Sequence, residues 1–273
     1  MVFSASIVLY RSNYSEIKKL VDHIFFYTKN IELYLIDNSP TNELGKLKNE
    51  YFQFPLHYFH TPENKGFGAG HNLAITKALE LNSKYHFVIN PDIILNEDAI
   101  NPMIEYMESH DDIGMMMPKV LNTDLSKQNL PKLLPSPIDI LLRKLKKPDF
   151  IYNSFINKYE LRFVEDDRIY EAPVLSGCFT LFRCDALKKK GMYDDAFFMY
   201  FEDWDISRRI NQSYKTIVFQ PASVIHEYES GANKSKHLFK IFVKSCIHYF
   251  NKYGWLFDSE RREINKKTLK QFK

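Results

Sequence analysis

Cysteine is scarce in this chain, and its spacing suits neither a metal site nor a disulfide framework. The three residues, Cys178, Cys184 and Cys246, are odd in number and form no C-x-x-C pair. That excludes a disulfide scaffold and a zinc knuckle, and a reducing, cytosolic compartment is expected. Long apolar runs are also missing: no window approaches the roughly 18 to 20 uninterrupted apolar residues that a bilayer-spanning helix needs. The opening Met-Val-Phe-Ser-Ala-Ser-Ile-Val-Leu-Tyr has no basic n-region and a strand-length apolar run, so no signal peptide is expected. There is no internal repeat, no low-complexity tract, and no Ser-His or Cys-His arrangement to supply a covalent nucleophile.

What is present suffices for a large folded unit. The chain has 273 residues, 45% of them hydrophobic, which is ample for a core and excludes general disorder. Its net charge of +3 hides an asymmetry, because the segment from Ala232 to Lys273 holds eleven basic residues against three acidic ones. No groove-reading motif accompanies that charge, which argues against a nucleic-acid partner. Within it, Leu238, Phe239, Phe242, Cys246, Tyr249, Phe250 and Tyr253 form a helical stripe. The stripe serves either to pack on the rest of the chain or to rest on an anionic bilayer.

The first part of the chain alternates strand and helix. Ser4 to Tyr10 reads as a buried strand, Asn13 to Lys29 as an amphipathic helix capped by Ser12 or Asn13, and Glu32 to Ile36 as a second strand ending in Asp37-Asn38-Ser39-Pro40. Strands at Leu56 to Phe59, Tyr85 to Ile89 and Ile113 to Met117, with helices reaching about Asn82 and Ser109, extend this into a mainly parallel α/β sheet flanked by helices. Ligands of such sheets bind beyond the carboxyl ends of the strands. Between Leu121 and Glu171 no period is sustained, four prolines intervene and a basic run occupies Arg143 to Lys147, the profile of a long functional loop. A strand-like run from Ala172 to Phe182, a short helix at Asp185 to Lys189, a helix from Glu202 to Gln212, and strands at Thr216 to Phe219 and Ser223 to His226 follow. The expected organisation is a catalytic domain over residues 1–231, with a nucleotide half at 1–118 and an acceptor half at 172–231, and a basic helical extension over 232–273.

Several short constellations offer chemistry. In Asn64-Lys65-Gly66-Phe67-Gly68-Ala69-Gly70-His71-Asn72, three glycines before a helix suit either close approach to a phosphate or sugar, or a flexible turn. Their spacing is not that of a dinucleotide fingerprint. Asp92, after Asn90-Pro91, is either a turn former or one of the few oxygens that a cation on a diphosphate requires. His226 ends a strand and is either a satisfied structural residue or a ligand. In Phe197-Phe198-Met199-Tyr200-Phe201-Glu202-Asp203-Trp204-Asp205, aromatics run into a carboxylate cluster. Burial and like charge raise a carboxylate toward useful basicity, while acids at a helix start also serve as caps.

Taken in order, Ser6 to Tyr10, Ile36-Asp37-Asn38-Ser39, the Asn64 to Asn72 loop, Asn90-Pro91-Asp92, Ser176-Gly177-Cys178-Phe179, Phe197 to Asp205 and His226 resemble glycosyltransferase family 2, in its rhamnosyltransferase-like branch. The resemblance runs from about Phe3 to Tyr253. It implies a GT-A fold, a nucleotide-diphosphate sugar donor, with dTDP-rhamnose favoured over a UDP-sugar, a Mg or Mn ion, and inversion at the anomeric carbon. It places Tyr10 and Asp37 at the nucleoside, and Asn64, Gly66, Phe67, Gly68, His71, Asn72 and Asn90 along the donor. Asp92 and His226 would stand at the metal or diphosphate, and Asp203 would be the base. Ser176, Gly177, Glu202, Trp204 and Asp205 fall to the acceptor, with Trp204 either core or sugar platform. The family's D-x-D reads Asn90-Pro91-Asp92 here, one carboxylate replaced by an amide.

The expected role is assembly of a bacterial surface polysaccharide such as O-antigen on a glycan or lipid-linked acceptor, by a cytoplasmic enzyme peripheral to the membrane. The rivals are another nucleotide-sugar enzyme and a non-catalytic carbohydrate- or membrane-binding module. Leu9-Tyr10-Arg11-Ser12-Asn13 lacks the glycine-and-lysine phosphate loop that the first rival would show.

Overall fold

The structure is a computed structural model describing residues 3–227 and 235–273; the boundary expected between residues 231 and 232 lies outside them. The strands are β1 (Phe3–Leu9), β2 (Glu32–Asp37), β3 (Leu56–His60), β4 (Tyr85–Ile89), β5 (Ile93–Ile94), β6 (Ile113–Leu121), β7 (Tyr170–Glu171), β8 (Phe179–Arg183) and β9 (Lys215–His226). The helices are α1 (Tyr14–Tyr27), α2 (Leu47–Glu50), α3 (Phe67–Glu80), α4 (Ile100–Glu108), α5 (Pro137–Leu145), α6 (Asp149–Tyr159), α7 (Cys184–Lys190), α8 (Glu202–Asn211), α9 (Lys236–Tyr253) and α10 (Ser259–Lys270). One sheet runs β3-β2-β1-β4-β8-β6-β9-β5, with β7 against β9.

The first four neighbours, β3-β2-β1-β4, are parallel as the βα alternation requires. Asn13 caps α1, its Oδ1 accepting from Ser15 N at 2.8 Å, and Ile17, Leu20, Val21, Ile24 and Phe25 are buried on the sheet. Beyond β4 the parallel pattern gives way. β8 pairs antiparallel with both β4 and β6, while β6 and β9 are parallel. The chain reaches β8 after the α5–α6 excursion rather than by a βα crossover, so the sheet is mixed.

Three local expectations are corrected. The region from 121 to 171 is not a plain loop: it holds α5, α6 and β7, and periodicity missed α5 because none of its residues is buried. The strand-like run from Ala172 is strand only from Phe179. The two short strands near the end are one 12-residue strand, β9, carried past Pro221 by a register shift against β6 between Pro118 and Lys119.

The main core lies on the sheet faces. A second cluster, Leu134, Val174, Phe197, Phe201, Trp204, Tyr249 and Phe250, packs α9 against the start of α8. Arg208 of α8, fully buried, donates Nη1 to Asp258 Oδ2 at 2.8 Å and Nη2 to Glu260 Oε2 at 2.7 Å. The C-terminal helices are therefore held to α8 by both packing and charge.

Candidate active site

All the carboxyl ends of β1, β2 and β4 open on one crevice. At one end of it, Asp37 closes β2 and is fully buried, with Oδ2 accepting from Tyr58 Oη at 2.6 Å and Oδ1 from Ser39 N at 2.9 Å. A carboxylate has about four lone-pair positions, so capacity remains for a donor N–H or hydroxyl. A cleft of 350 Å³ lies against it, lined by Arg11, Ser12, Ser39, Pro40, Thr41 and neighbours. Tyr10 is half exposed beside it, with the Arg11 guanidinium 5.5 Å from its ring centre.

The glycines of the loop allow close approach to other parts of the protein. Gly66 has φ 103°, and a Cβ there would come within 2.2 Å of Phe198 O. At Gly68 and Gly70 a Cβ would meet Tyr193 and Val8, each at 2.8 Å. Even the first helical N–H is used, Phe67 N donating to Phe198 O at 2.9 Å. Asn64, itself at φ 42°, accepts from Gly66 N at 3.3 Å. His71 and Asn72, expected along the donor, both have protein partners. His71 is wholly buried, its Nδ1 2.7 Å from Ser6 Oγ, and burial pushes its pKa well down. Asn72 spends its amide on Tyr193 O, Tyr193 N and Asp195. The loop docks the segment from Tyr193 to Phe198, and that segment leads to Asp203.

At the middle of the crevice Asn90 N donates to Cys178 O at 2.8 Å, so Asn90-Pro91-Asp92 and Ser176-Gly177 are neighbours. Asp92 Oδ1 lies 3.2 Å from His226 Nε2. His226 Nδ1 is 3.1 Å from Gln128 Oε1; the amide oxygen can only accept, so Nδ1 is the donor of that bond and Nε2 is the nitrogen turned to Asp92. Gln128 Nε2 also donates to His226 O at 2.8 Å, which fixes the ring from both sides. Asp92 Oδ1 is buried and makes no hydrogen bond. A carboxylate oxygen and an imidazole nitrogen turned toward each other fit a divalent cation that takes its other ligands from a diphosphate and water. Among the described residues no cluster of three or more His, Cys, Asp or Glu could hold a metal unaided.

Asp203 stands at the start of α8, beside Gly177, where a Cβ would lie 3.7 Å from its own. Burial pushes its carboxyl up to about 6, against the opposing pull of the Lys132 charge and of the backbone N–H groups of Trp204 and Gly177. Glu202 is more deeply buried, and burial, then the Asp203 charge, drive its pKa well above the usual range. Its Oε2 has no hydrogen-bond partner. One member of the pair is thus kept neutral beside another poised to ionise. Lys132, 7% exposed, has its pKa lowered to about 8, first by burial and then by Arg143. The segment entering α8 is strained: Tyr200 and Phe201 both have φ 69°, left-handed values that cost about 1–3 kcal/mol each in non-glycine residues. The second core clamps them, with the Phe242 ring edge-on to Tyr200 at 5.8 Å and tilted against Phe201 at 5.3 Å between ring centres.

Asp205 and Trp204, expected near the acceptor, are both turned toward protein. Asp205 is fully buried, with its oxygens taken by Arg209 Nε at 2.8 Å and by Tyr253 Oη at 2.7 Å, so no face is left for a sugar. Trp204, 8% exposed and 4.4 Å from Phe201 by ring centres, is core. Ser176, part-buried, and Gly177 lie between Asn90 and Asp203, with the Phe67 ring 3.3 Å from the position of a Gly177 Cβ. Sequence reasoning missed Tyr58, Gln128 and Lys132. Only Lys132 carried a signal, as the one charge in the proline-bounded apolar run Pro131-Lys132-Leu133-Leu134-Pro135.

Over 243 residues the chain is 26% identical to the rhamnosyltransferase WbbL of Escherichia coli, covering 85% of this chain and 87% of that protein. It is 25% identical over 240 residues to the N-acetylglucosaminyl-diphospho-decaprenol L-rhamnosyltransferase of Mycobacterium tuberculosis, covering 82% and 76% of the two chains. Among solved structures, GalNAc-T7 with UDP, GalNAc and Mn2+ superposes with a TM-score of 0.65 at 16% identity, over 90% of this chain and 48% of that one; the shared fold is GT-A. The model of Glycosyl transferase family 2 matches residues 4–191, and with the crevice described above this places the chain in glycosyltransferase family 2.

Proposed function

We propose that this glycosyltransferase moves rhamnose, with inversion, from dTDP-rhamnose to a hydroxyl of a lipid-linked glycan acceptor in bacterial surface polysaccharide synthesis. The observation that carries the reading is the Asp203 carboxyl, raised to about 6 on the same crevice as the Asp92–His226 pair. A sugar hydroxyl is a weak nucleophile, and a positioned base near neutral pKa removes its proton as attack proceeds, an effect of about 10² to 10⁴ in rate. Asp37 and Tyr10 hold the nucleoside, and Asp92 and His226 would hold Mg or Mn. When bound, that cation neutralises charge on the departing diphosphate. Attack from the Asp203 side, opposite the leaving group, inverts the anomeric carbon without an enzyme nucleophile.

The choice of rhamnose and of a lipid-linked acceptor follows the names of the two relatives. A thermal-shift series tests the donor, since a ligand that binds only the folded state raises apparent stability. dTDP-rhamnose with Mn should raise the melting midpoint more than UDP-sugars do. A shift with UDP-sugars alone would move the donor to that class, and no shift with any nucleotide sugar would overturn the reading.

A further inference from the structure

The face of the molecule formed by α5 and α9 is apolar and basic, and its outer apolar row is exposed among the described residues. In α5, Ile138, Leu141 and Leu145 are 66%, 55% and 58% exposed, and no residue of the helix is buried. The helix is nevertheless well made, with a capping box between Ser136 and Asp139. An apolar stripe on a stable helix ordinarily exists to be covered. The stripe continues on α9, where Phe239, Val243 and Ile247 recur every fourth residue and border a hollow together with Lys240 and Lys244. The two helices are joined at this face, because Lys144 Nζ of α5 lies 4.8 Å from the Phe239 ring centre. This outer row differs from the stripe expected from the sequence: Tyr249 and Phe250 are buried inward, while Phe239 points out beside Val243 and Ile247.

Charge decides what fits there. Lys236, Lys240 and Lys244 run along the apolar row of α9, and the helix contains no Asp or Glu. Lys144 and Lys146 lie exposed at the end of α5 and just beyond it, while Lys147 is paired with Asp149 at 3.1 Å. A second copy docked on the same face would set these lysine rows against each other with no acid on α9 to answer them. A bilayer with anionic headgroups satisfies both features, taking the apolar row at its acyl boundary and the ammonium groups among its phosphates. The described residues contain no helix long and apolar enough to cross a membrane, so such contact is lateral.

We propose that the α5–α9 face is a docking surface for an anionic lipid bilayer. The inner side of α9 underlies the segment that leads to the base, with Ser245 Oγ donating to Met199 O at 2.8 Å, so docking there sets the acceptor wall of the crevice in fixed relation to the membrane. That use rests on the lipid-linked acceptor proposed above, but the docking does not.

Vesicle flotation of the full chain, with no sugar donor present, tests the surface independently of catalysis. The parent should float with vesicles of equal parts phosphatidylcholine and phosphatidylglycerol and stay behind with phosphatidylcholine alone. The combined Lys236→Gln, Lys240→Gln and Lys244→Gln variant should bind about 100-fold more weakly, roughly fivefold per lysine. Phe239→Ser with Ile247→Ser should weaken binding at unchanged charge, and Leu141→Gln with Leu145→Gln provides the same test on α5. All these side chains are exposed, so melting midpoints should stay near the parent's, and any variant that melts early is replaced by the α5 pair. A parent that ignores anionic vesicles would overturn the proposal. So would floating of both the lysine and the apolar variants like the parent, or a dimer seen by light scattering that the Phe239 and Ile247 changes dissolve.

Discussion

Two carboxylates on one crevice are treated in opposite ways. Asp37, at the nucleotide end, is fully buried yet answered by the Tyr58 hydroxyl and the Ser39 amide, on a strand paired on both sides. Asp203, at the acceptor end, follows two left-handed aromatic residues and neighbours Glu202, whose Oε2 has no partner. Satisfied polar groups rigidify a site, while desolvated ones change their proton affinity. Under the proposed function, the Asp37 end is built to recognise and the Asp203 end to react.

The sharpest way to break this contrast is Asp203→Asn. Transfer should fall about 10² to 10⁴-fold, read as initial rate at saturating donor. Stability should move the other way. The folded pKa is raised from 3.8 to about 6, so the fold prefers the neutral acid, and stability present at low pH is lost as pH rises through that interval. At neutral pH the amide should therefore melt later than the parent, and an earlier melt would remove the argument that burial tunes this group. In the parent, the rate should rise with pH through about 6 and then level off. Next in size, Gln128→Leu frees the His226 ring and should raise the cation concentration needed for half-maximal activity about 10 to 100-fold, as removal of a ligand-orienting partner does. Tyr58→Phe leaves Asp37 with one partner fewer and should cost about 1–3 kcal/mol in urea unfolding, with the midpoint of the pH–rate curve unmoved. The smallest effect is expected for Lys132→Met. Its charge opposes the rise of the Asp203 pKa, so the midpoint should shift upward by less than about one pH unit.

The elements with a buried face were legible in the sequence, since α1 and the parallel strands carry their periods openly. α5 was not, because its apolar residues face outward and its pattern has no packing partner to interpret it. Asp203 stood out through its aromatic company. The glycine loop stood out as well, but for a reason the chain could not reveal: what crowds Gly66 and Gly68 is a segment more than a hundred residues away, at Tyr193 and Phe198. Gln128 and Tyr58 are ordinary residues whose meaning comes from strand neighbours. His226 and Asp92 gain theirs from the antiparallel pairing of β5 with β9, which sets Ile93 opposite His226.

The clamp on Arg208 also has a bearing on how the enzyme comes into being. Its guanidinium is buried 50 residues ahead of the Asp258 that neutralises it. A chain is made from its N-terminus onward, so during synthesis the helix bearing the base is complete while its counter-charge has yet to be added. A buried cation without its partner costs about 3–5 kcal/mol. The Asp203 end of the crevice is thereby the last to settle, and a polypeptide interrupted before Asp258 would carry Asp37, Asp92 and His226 and still lack a stable seat for Asp203.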